Sequence, residues 1–563
     1  MEIKKNDKFT VTIEDMGEDG AGIGRVDGYI WFVKDALIGD TIEASAMKMK
    51  KNYGFARLVR VITPAKGRVE AKCPVARACG GCQLQELDYK EQLKFKEKKV
   101  YNHLKRIGGM ENLFLPEEAD QAAGVPDAVI MEPIIGMEDP WRYRNKAQYP
   151  IGRGKDGKPT AGFFAGRTHS LIPVPELDCL LGCGENKDYL AAVLKFMEDF
   201  GVEPYDEANH KGLVRHVLLR KGFASGEHMV CLVINGKKLP HEKEFIERMR
   251  EAGADSISLS FNMEKTNVIL GTEIKNLYGP GYITDKIGSI EYRISPLSFY
   301  QVNPVQTERL YGTALEFADL NGGETVWDLY CGIGTISSFL AQKAGKVCGV
   351  EIIPAAIEDA RENAKRNGLD NVEFFVGKAE EVLPEQYEKN HIKADVIVVD
   401  PPRKGCDELC LETIVKMAPE KVVYVSCDSS TLARDVKYLG ENGYAVKRVR
   451  TVDMFGMSGH VETVVLLSKG EVDSKKIRVE FSLEDMDMSE FQDGATYPQI
   501  KEYVLEHTGL KVSNLYISQI KRKCGIEVGK NYNLPKSEDS RQPQCPPEKE
   551  KAIREAFKYF GMI

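Results

Sequence analysis

Cys427 is the residue whose type and position most directly suggest covalent chemistry. It follows the apolar run 421–425 and precedes an aspartate and several hydroxyl side chains at 428–431. A thiol at the carboxyl end of a buried strand lies where open α/β sheets bind and transform their ligands. Most free cysteines are simply small buried apolar side chains. The sequence therefore makes Cys427 a candidate nucleophile whose role depends on its neighbours.

A glycine turn and an acidic residue indicate a nucleotide-type cofactor. The apolar strand 324–328 runs into a glycine turn at 329–334, and the strand 346–350 ends in Glu351. An acid after the second strand can hold the ribose hydroxyls of such a cofactor. The dinucleotide fingerprint would place a third glycine where Ser337 stands. The pattern therefore favours S-adenosylmethionine over NAD.

A rigid turn follows the predicted fourth strand, which spans residues 394–399. Asp400 is followed by two prolines, which fix an extended backbone and can hold a carboxylate steadily against a ligand. Methyltransferases that act on amino nitrogens carry an aromatic residue after a related turn, but here Arg403 stands in its place. Methylation of an amine is therefore disfavoured, and Arg403 is a candidate hydrogen-bond donor to the Cys427 thiolate.

Three cysteines near residue 80 predict a metal cluster. Cys73, Cys79 and Cys82 are spaced C-x5-C-x2-C, and two glycines let the backbone between the last two curl tightly. We expect the fourth ligand to be Cys179, with Cys183 as the alternative. Zinc sites commonly show two paired CxxC knuckles, so an iron–sulfur cluster, [4Fe-4S], is favoured over zinc. Its expected role is structural or in positioning RNA.

The elements around these residues predict a multidomain α/β protein. Five short alternating strands in 1–62 predict an OB-like β-barrel with cations and aromatics at 48–60, a combination that binds RNA. Residues 63–290 are expected to form a cluster-bearing α+β central domain, in which arginines and aromatics at 141–146 and 214–217 suggest a substrate-facing wall. Residues 291–469 show the strand–helix repeats of a Rossmann-like, doubly wound sheet.

Residues 470–563 are expected to form a small appended module. Two helices are predicted at 497–508 and 513–524, as a packed helical hairpin or as a helix-turn-helix. Nothing in the sequence assigns this module a role.

The composition limits the classes of protein to which this chain can belong. The chain has 563 residues, 42% of them apolar, which is ordinary for a folded protein of several domains. The N-terminus has no apolar signal segment, so we expect a cytoplasmic protein without a membrane partner. Thirteen cysteines in such a chain favour metal or catalytic roles over disulfides. The net charge of -8 does not exclude RNA, because binding depends on local basic surface.

Taken together, the segments 295–303, 328–334, 400–405, 425–428 and 459–464 resemble the RNA uracil-5-methyltransferase family. The barrel resembles the TRAM domain, and with the cysteine cluster it matches the iron–sulfur subgroup that acts on 23S ribosomal RNA. The resemblance implies a nucleophile, a general base and a set of S-adenosylmethionine contacts. By position these fall on Cys427, on Glu462, and on Gln301, Tyr330, Glu351 and Asp400.

The resemblance predicts S-adenosylmethionine-dependent methylation of carbon 5 of a uridine in 23S rRNA, through a covalent adduct between Cys427 and carbon 6. No obligate protein partner is evident. The same reaction on transfer RNA is the first alternative, although enzymes with that substrate generally lack the barrel and the cysteines. An inactive iron–sulfur RNA-binding protein is the second, and the presence of both Cys427 and Glu462 counts against it. A radical enzyme would need a C-x3-C-x2-C spacing, which is absent here.

Overall fold

The computed structural model describes residues 3–470 apart from 18 and 167, and residues 497–562 apart from 511, 525, 527–544 and 561. The chain divides into two compact units, residues 1–472 and 473–563, which are described separately. In the described ranges every helix is too short or too polar to span a lipid bilayer.

Five strands at the start of the chain close into a barrel. The strands are β1 (Lys8–Met16), β2 (Gly22–Val26), β3 (Tyr29–Lys34), β4 (Thr41–Met49) and β5 (Tyr53–Thr63). They follow the order β1-β2-β3-β5-β4 around the barrel. Trp31, Val33 and Ile42 fill its interior, because alternate side chains of each strand face inward. A Cβ on Gly54 would lie 2.6 Å from the Trp31 ring, so only glycine fits there. The predicted N-terminal barrel is confirmed.

A connecting region follows the barrel. Its elements are α1 (Tyr89–Arg106), β6 (Leu113–Phe114), α2 (Ala119–Ala122), β7 (Val129–Ile130) and β8 (Glu132–Ile135). Asp88 caps α1 by accepting a hydrogen bond from the backbone N–H of Lys90.

A seven-stranded sheet forms the centre of the chain. Its elements in chain order are β9 (Lys146–Arg153), β10 (Pro159–Phe164), β11 (Leu171–Pro173), α3 (Asn186–Phe200), β12 (Val214–Lys221), β13 (His228–Ile234), α4 (Glu242–Glu251), β14 (Ser256–Phe261) and β15 (Glu273–Tyr278). The strand order is β11-β10-β9-β12-β13-β14-β15, and only β13 and β14 pair in parallel. Phe196 of α3 and Phe245 of α4 meet in the core beneath it, with ring centroids 5.2 Å apart.

The last part of the first unit is built on an eight-stranded sheet. After the hairpin β16 (Ile283–Ile287) and β17 (Ile290–Ile294) come α5 (Pro304–Ala318), β18 (Thr325–Leu329), α6 (Thr335–Leu340), β19 (Lys346–Glu351), α7 (Pro354–Arg366), β20 (Val372–Val376), α8 (Ala379–Asn390), β21 (Val396–Val399), α9 (Glu408–Met417), β22 (Lys421–Ser426), α10 (Ser429–Glu441), β23 (Tyr444–Val452) and β24 (Glu462–Lys469). The sheet order is β20-β19-β18-β21-β22-β24-β23-β8. The five strands from β20 to β22 are parallel, and both faces are covered, as in doubly wound folds. The predicted Rossmann-like sheet is confirmed.

One packing relationship crosses the predicted domain boundaries. Strand β8 pairs with β23 at the edge of the large sheet, and α1 packs against α10. Val100 and Leu104 of α1 belong to the same buried core as Trp327 of β18. Residues 89–135, assigned from the sequence to the central domain, therefore pack with the doubly wound sheet.

The second unit is a small helical module. Its described helices are α11 (Tyr497–Thr508), α12 (Asn514–Lys523) and α13 (Pro547–Tyr559). Ile500, Ile517, Ile553 and Phe557 share a buried core. The two predicted helices are present, and the sequence analysis missed α13, which completes their core. Residues 471–496, part of the predicted module, lie outside the described residues.

Candidate active site

The strand ends of the large sheet bring five of the predicted residues into one row. Strands β19, β18, β21 and β22 are parallel neighbours in that order, so their carboxyl ends share one edge. Glu351 is the last residue of β19, and Tyr330, Asp400 and Cys427 follow directly after β18, β21 and β22. Glu462 begins the antiparallel strand β24 at the same edge.

A cavity of about 890 Å³ opens at this edge. Its lining includes all six residues predicted as catalytic or cofactor-binding, namely Gln301, Tyr330, Glu351, Asp400, Cys427 and Glu462. Gln301 reaches the cavity from the segment before α5, where its carbonyl oxygen accepts a hydrogen bond of 2.9 Å from the Asn145 side chain. The volume lies within the range of cofactor sites. The six residues are thus neighbours, and their individual roles remain predictions.

The turn after β18 has the conformation that its glycines allow. Tyr330, Gly332 and Gly334 have φ values of 68°, 55° and 76°, in the left-handed region that side chains other than glycine rarely adopt. Such a backbone at Tyr330 is typical of functional sites, where surrounding structure maintains strain. The carboxylate of Glu351 accepts hydrogen bonds from the N–H groups of Gly332 (3.2 Å) and Ile353 (3.0 Å). The turn and the acid therefore hold each other in place.

The proline turn after β21 is tied to the segment that follows Cys427. The N–H of Gly405 donates to the carbonyl oxygen of Pro402 (2.8 Å), and the Thr431 hydroxyl donates to the carbonyl oxygen of Arg403 (3.1 Å). Burial raises the pKa of the Asp400 carboxyl to about 7. A cation bound beside Asp400 would favour its ionised form.

Cys427 and Glu462 have strongly shifted pKa values. Burial, followed by the negative charges of Glu462 and Asp400, raises the pKa of the Cys427 thiol to about 12. Burial and the charge of Asp400 raise the pKa of Glu462 to about 8. The positive charge of Arg403 acts in the opposite direction on both groups. At neutral pH the free site therefore holds both side chains protonated, as a thiol and a carboxylic acid.

Cys427 also borders a second, polar cavity of about 300 Å³. Its lining includes Lys99 and His103 of α1, Arg403, and Asp428, the residue that caps α10. The Nδ1 atom of His103 lies 2.8 Å from the Ser429 hydroxyl oxygen. Cys427 therefore lines two cavities at this edge of the sheet.

Sequence reasoning assigned no role to Phe455 or His460, both of which line the main cavity. Their loop is held by Lys96 of α1, whose Nζ atom lies 2.6 Å from Asp453 Oδ1 and 3.0 Å from the Phe455 carbonyl oxygen. Lys96 and Asp453 are fully buried, and 357 residues separate them in the chain. No local pattern predicts a contact of that range. His460 could have been found from its place two residues before Glu462.

The four cysteines predicted as cluster ligands line one cavity of about 310 Å³. They are Cys73, Cys79, Cys82 and Cys179. Burial, together with the neighbouring cysteines, raises the pKa of Cys82 to about 12. Cys183, the alternative ligand, is buried and donates its S–H to the carbonyl oxygen of Arg144 (3.3 Å). Among the described residues, no three histidine, cysteine or acidic side chains are gathered closely enough to hold a metal ion as they stand. The cluster therefore remains a prediction.

The segments at 141–146 and 214–217, predicted to face the substrate, differ from each other. Arg144 and Lys146 line the main cavity. Arg215 and His216 are buried in β12 and border a different cavity beside the cysteine loop. The doubly wound sheet and the cavity at its strand ends define a Rossmann-like, cofactor-binding fold.

Comparison with known proteins narrows this class. Residues 225–470 match the tRNA (Uracil-5-)-methyltransferase family model, and residues 4–59 match the TRAM domain. An uncharacterized RNA methyltransferase of Halalkalibacterium halodurans is 49% identical over 467 residues, which cover 83% of this chain and 98% of that protein. One from Clostridium tetani is 48% identical over 469 residues, covering 83% of this chain and 97% of the relative.

A solved structure is similar over most of its length. The Pyrococcus abyssi tRNA (uracil-54, C5)-methyltransferase in complex with S-adenosyl-L-homocysteine superimposes with a TM-score of 0.64 and 27% identity, covering 82% of this chain and all of that one. The chain belongs to the RNA uracil-5-methyltransferase family and carries an N-terminal TRAM domain. It is an S-adenosylmethionine-dependent RNA methyltransferase.

Proposed function

We propose that this protein methylates carbon 5 of a uridine in 23S ribosomal RNA through a covalent adduct between Cys427 and carbon 6 of the uracil ring. The observation that carries the proposal is the pairing of β22 with β24. Ser426 is the partner of Thr463, so the next residues, Cys427 and Glu462, oppose each other across the two strands. Both line the cavity that also contains Asp400.

The uracil ring needs this pair because its carbon 5 is a weak nucleophile. Addition of the Cys427 thiolate to carbon 6 moves the electron pair of the C5–C6 double bond into an enolate. Carbon 5 then displaces the methyl group from the sulfonium, whose S–CH3 electron pair stays on sulfur. Glu462 takes the proton from carbon 5, the double bond re-forms, and the thiolate leaves. The products are 5-methyluridine and S-adenosylhomocysteine.

Before the reaction the Cys427 thiol must lose its proton to solvent so that it can attack, and Glu462 must likewise be ionised so that it can later take the proton from carbon 5. In the free site burial and two acids disfavour the thiolate of Cys427, whose pKa is about 12. Arg403 favours the thiolate through its positive charge. A cationic sulfonium beside Asp400 would add a second favourable charge, so we expect Cys427 to ionise mainly when methyl donor and uracil are both bound.

Four residues would hold the methyl donor. Glu351, fixed to the glycine turn, is suited to the ribose hydroxyls, and Tyr330 lies at the start of the same turn. Gln301 and Asp400 line the same cavity as Cys427 and would orient the amino-acid part of the donor. This assignment follows the sequence resemblance, and the shared cavity supports it.

The choice between ribosomal and transfer RNA depends on two opposing observations. The TRAM domain and the four cysteines favour 23S rRNA, because they match the ribosomal subgroup. The structural neighbour from Pyrococcus abyssi is a tRNA (uracil-54, C5)-methyltransferase, and it aligns over 82% of this chain. Transfer RNA is therefore the second candidate substrate.

Mapping of 5-methyluridine separates the two substrates. Ribosomal and transfer RNA are isolated from cells with and without the gene and from cells that express Cys427→Ala. We expect a 23S position to lose its methyl group in the deletion and in the variant strain. Loss confined to transfer RNA would replace the ribosomal assignment, and unchanged 5-methyluridine in both RNAs would contradict the proposed reaction.

The residues that line the cysteine cavity are chemically suited to an iron–sulfur cluster. Cys73, Cys79, Cys82 and Cys179 supply four sulfur ligands to one cavity, and the N–H of Gly81 already donates to the sulfur atom of Cys79 at 3.4 Å. Arg144 and Lys146 bring positive charge to the same lining. We propose that these cysteines hold a [4Fe-4S] cluster with a structural role, which adds a covalent brace to the segment before α1.

A further inference from the structure

Two cations lie at the boundary between the main cavity and the cysteine cavity. Arg144 and Lys146 line both. Asn145, between them, is fixed by its N–H to the carbonyl oxygen of Val302 (2.8 Å) and by its side chain to that of Gln301 (2.9 Å). This anchoring places the two charged side chains beside a predicted methyl-donor contact.

The charge of Lys146 is not compensated within the protein. Burial, together with the positive charges of Arg220 and Arg144, lowers the pKa of Lys146 to about 8. In the described part of the chain its ammonium group has no hydrogen bond or ion pair, whereas the neighbouring Arg142 pairs with Asp178. An uncompensated cation in a cavity wall is costly unless a ligand supplies the opposite charge.

The main cavity carries both acidic and basic side chains. Its acidic residues are Glu351, Glu358 and Asp359 from β19 and α7, with Asp400 and Glu462 beside Cys427, whereas Arg144 and Lys146 enter the lining from the start of β9. His460, which also lines the cavity, has its pKa lowered to about 4 by burial and by four nearby cations, Arg403, Lys99, Lys96 and Arg144. An anionic ligand would be attracted to these cations.

We propose that Arg144 and Lys146 form a binding site for one phosphate of the RNA strand next to the target uridine. The inference rests on the proposed function, since it takes the uracil to lie at Cys427. The guanidinium of Arg144 lies 5.6 Å from the ring centroid of Tyr143 and 5.8 Å from that of Phe455, so stacking restricts its position. Arginine presents forked donors to phosphate oxygens, and lysine adds a point charge.

Two other anions could pair with Arg144 and Lys146. One is the carboxylate of the methyl donor, and the other is the set of cysteine thiolates in the adjacent cavity. The experiment therefore measures RNA binding, donor binding and cysteine-site absorbance separately for each variant.

The test compares Lys146→Met with Lys155→Met, which removes a lysine from the exposed turn between β9 and β10. The RNA probe is a 12-nucleotide single-stranded oligouridylate, which requires no base unstacking. Dissociation constants are measured without methyl donor between 50 and 300 mM salt. We expect Lys146→Met to weaken binding about tenfold and to reduce the salt slope by about 0.7, the value for one phosphate contact on a single strand. Lys155→Met should match the wild type, and Lys146→Arg should restore the slope.

A second arm changes the phosphates of the RNA one at a time. Oligouridylates in which one phosphate at a time is an uncharged methylphosphonate are bound to the wild type and to Lys146→Met. One position should weaken binding to the wild type and have no further effect on the variant. This comparison remains valid for a poorly folding variant, because only its active fraction is counted. Equal losses in both proteins would overturn the proposal.

The remaining outcomes identify the other anions. Weaker binding of S-adenosylhomocysteine with unchanged RNA binding would assign the site to the donor carboxylate. Altered visible absorbance or iron content with unchanged RNA binding would assign it to the cysteines. Either result overturns the phosphate site. A wild type that shows the salt slope but does not methylate uridine would contradict the proposed function and leave the phosphate site intact.

Discussion

Cys427 and Glu462 oppose each other at the edge of the large sheet, one residue beyond the paired Ser426 and Thr463. Residues directly opposite in an antiparallel pair project to the same side of the sheet. Burial and the charge of Asp400 make the ionised form of each side chain unfavourable in the free protein. This pairing brings a nucleophile and a base to one ring and also makes the site responsive to what binds there.

Removal of the thiol should separate donor binding from chemistry. We expect Cys427→Ala to bind S-adenosylmethionine as the wild type does and to lose methyl transfer by at least about 10³-fold, because the uracil ring is not activated. Calorimetry measures the binding, and transfer of a radiolabelled methyl group to RNA measures the reaction. Cys231→Ala, at a buried thiol of β13 outside the cavity lining, is the control. Persisting activity in Cys427→Ala would rule out the covalent mechanism.

Replacement of the base should stop the reaction after methyl transfer. In Glu462→Gln no carboxylate can take the proton from carbon 5, so we expect a methylated protein–RNA adduct to accumulate. It should be visible as a slow band on a denaturing gel and vanish in Glu462→Gln combined with Cys427→Ala. If Glu462→Gln turns over normally without such a band, the proton acceptor is another group.

The stability of the protein should depend on pH through Glu462. Its carboxyl keeps a proton up to about pH 8 in the folded protein but loses it near pH 4.5 when unfolded. The folded state thus binds more protons between these values, and stability falls as pH rises through this window. Glutamine cannot ionise, so Glu462→Gln should gain stability relative to the wild type, by roughly 2–4 kcal/mol at pH 8 and little at pH 4.5.

Urea unfolding of the two proteins at a series of pH values checks this prediction. Asp328 and Asp400, whose pKa values burial also raises to about 7, are present in both proteins, so their main contribution cancels in the difference. A difference in unfolding free energy that is constant from pH 4.5 to 8 would contradict the buried, protonated state of Glu462.

The cysteine cavity gives a prediction with an internal control. Protein purified without oxygen should be brown and contain iron and sulfide, and Cys179→Ser should lose most of both. Cys183→Ser should keep them, because Cys183 is bonded to the Arg144 carbonyl oxygen and does not line the cavity. Colourless protein with bound zinc would refute the iron–sulfur assignment. Loss of iron in Cys183→Ser but not in Cys179→Ser would make Cys183 the fourth ligand in place of Cys179.

The parts predictable from sequence are those in which a local pattern determines the position. Tyr330, Glu351, Asp400 and Cys427 each stand at the end of an apolar strand, and parallel pairing then gathers strand ends at one edge. The position of Glu462 came from the family resemblance, because strand periodicity does not reveal that β24 runs antiparallel beside β22.

The contacts that could not be predicted join distant parts of the chain. The buried pair between Lys96 and Asp453 holds the loop that carries Phe455 and His460. From the sequence, a lysine on an amphipathic helix is expected to be exposed to solvent. Lys96 is instead buried where α1 packs against α10. For the same reason the sequence did not indicate that β8 pairs with β23, since a four-residue strand carries no information about its partner.

The central claim is that Cys427 adds to carbon 6 of a uridine while carbon 5 is methylated. Its most direct test uses 23S rRNA transcribed with 5-fluorouridine, because fluorine at carbon 5 cannot leave as a proton does and the adduct is trapped. After incubation with S-adenosylmethionine and digestion with protease and nuclease, mass spectrometry should find the peptide of Cys427 linked to a methylated fluorouridine. A complex in which the RNA is methylated while Cys427 remains unmodified would contradict the account.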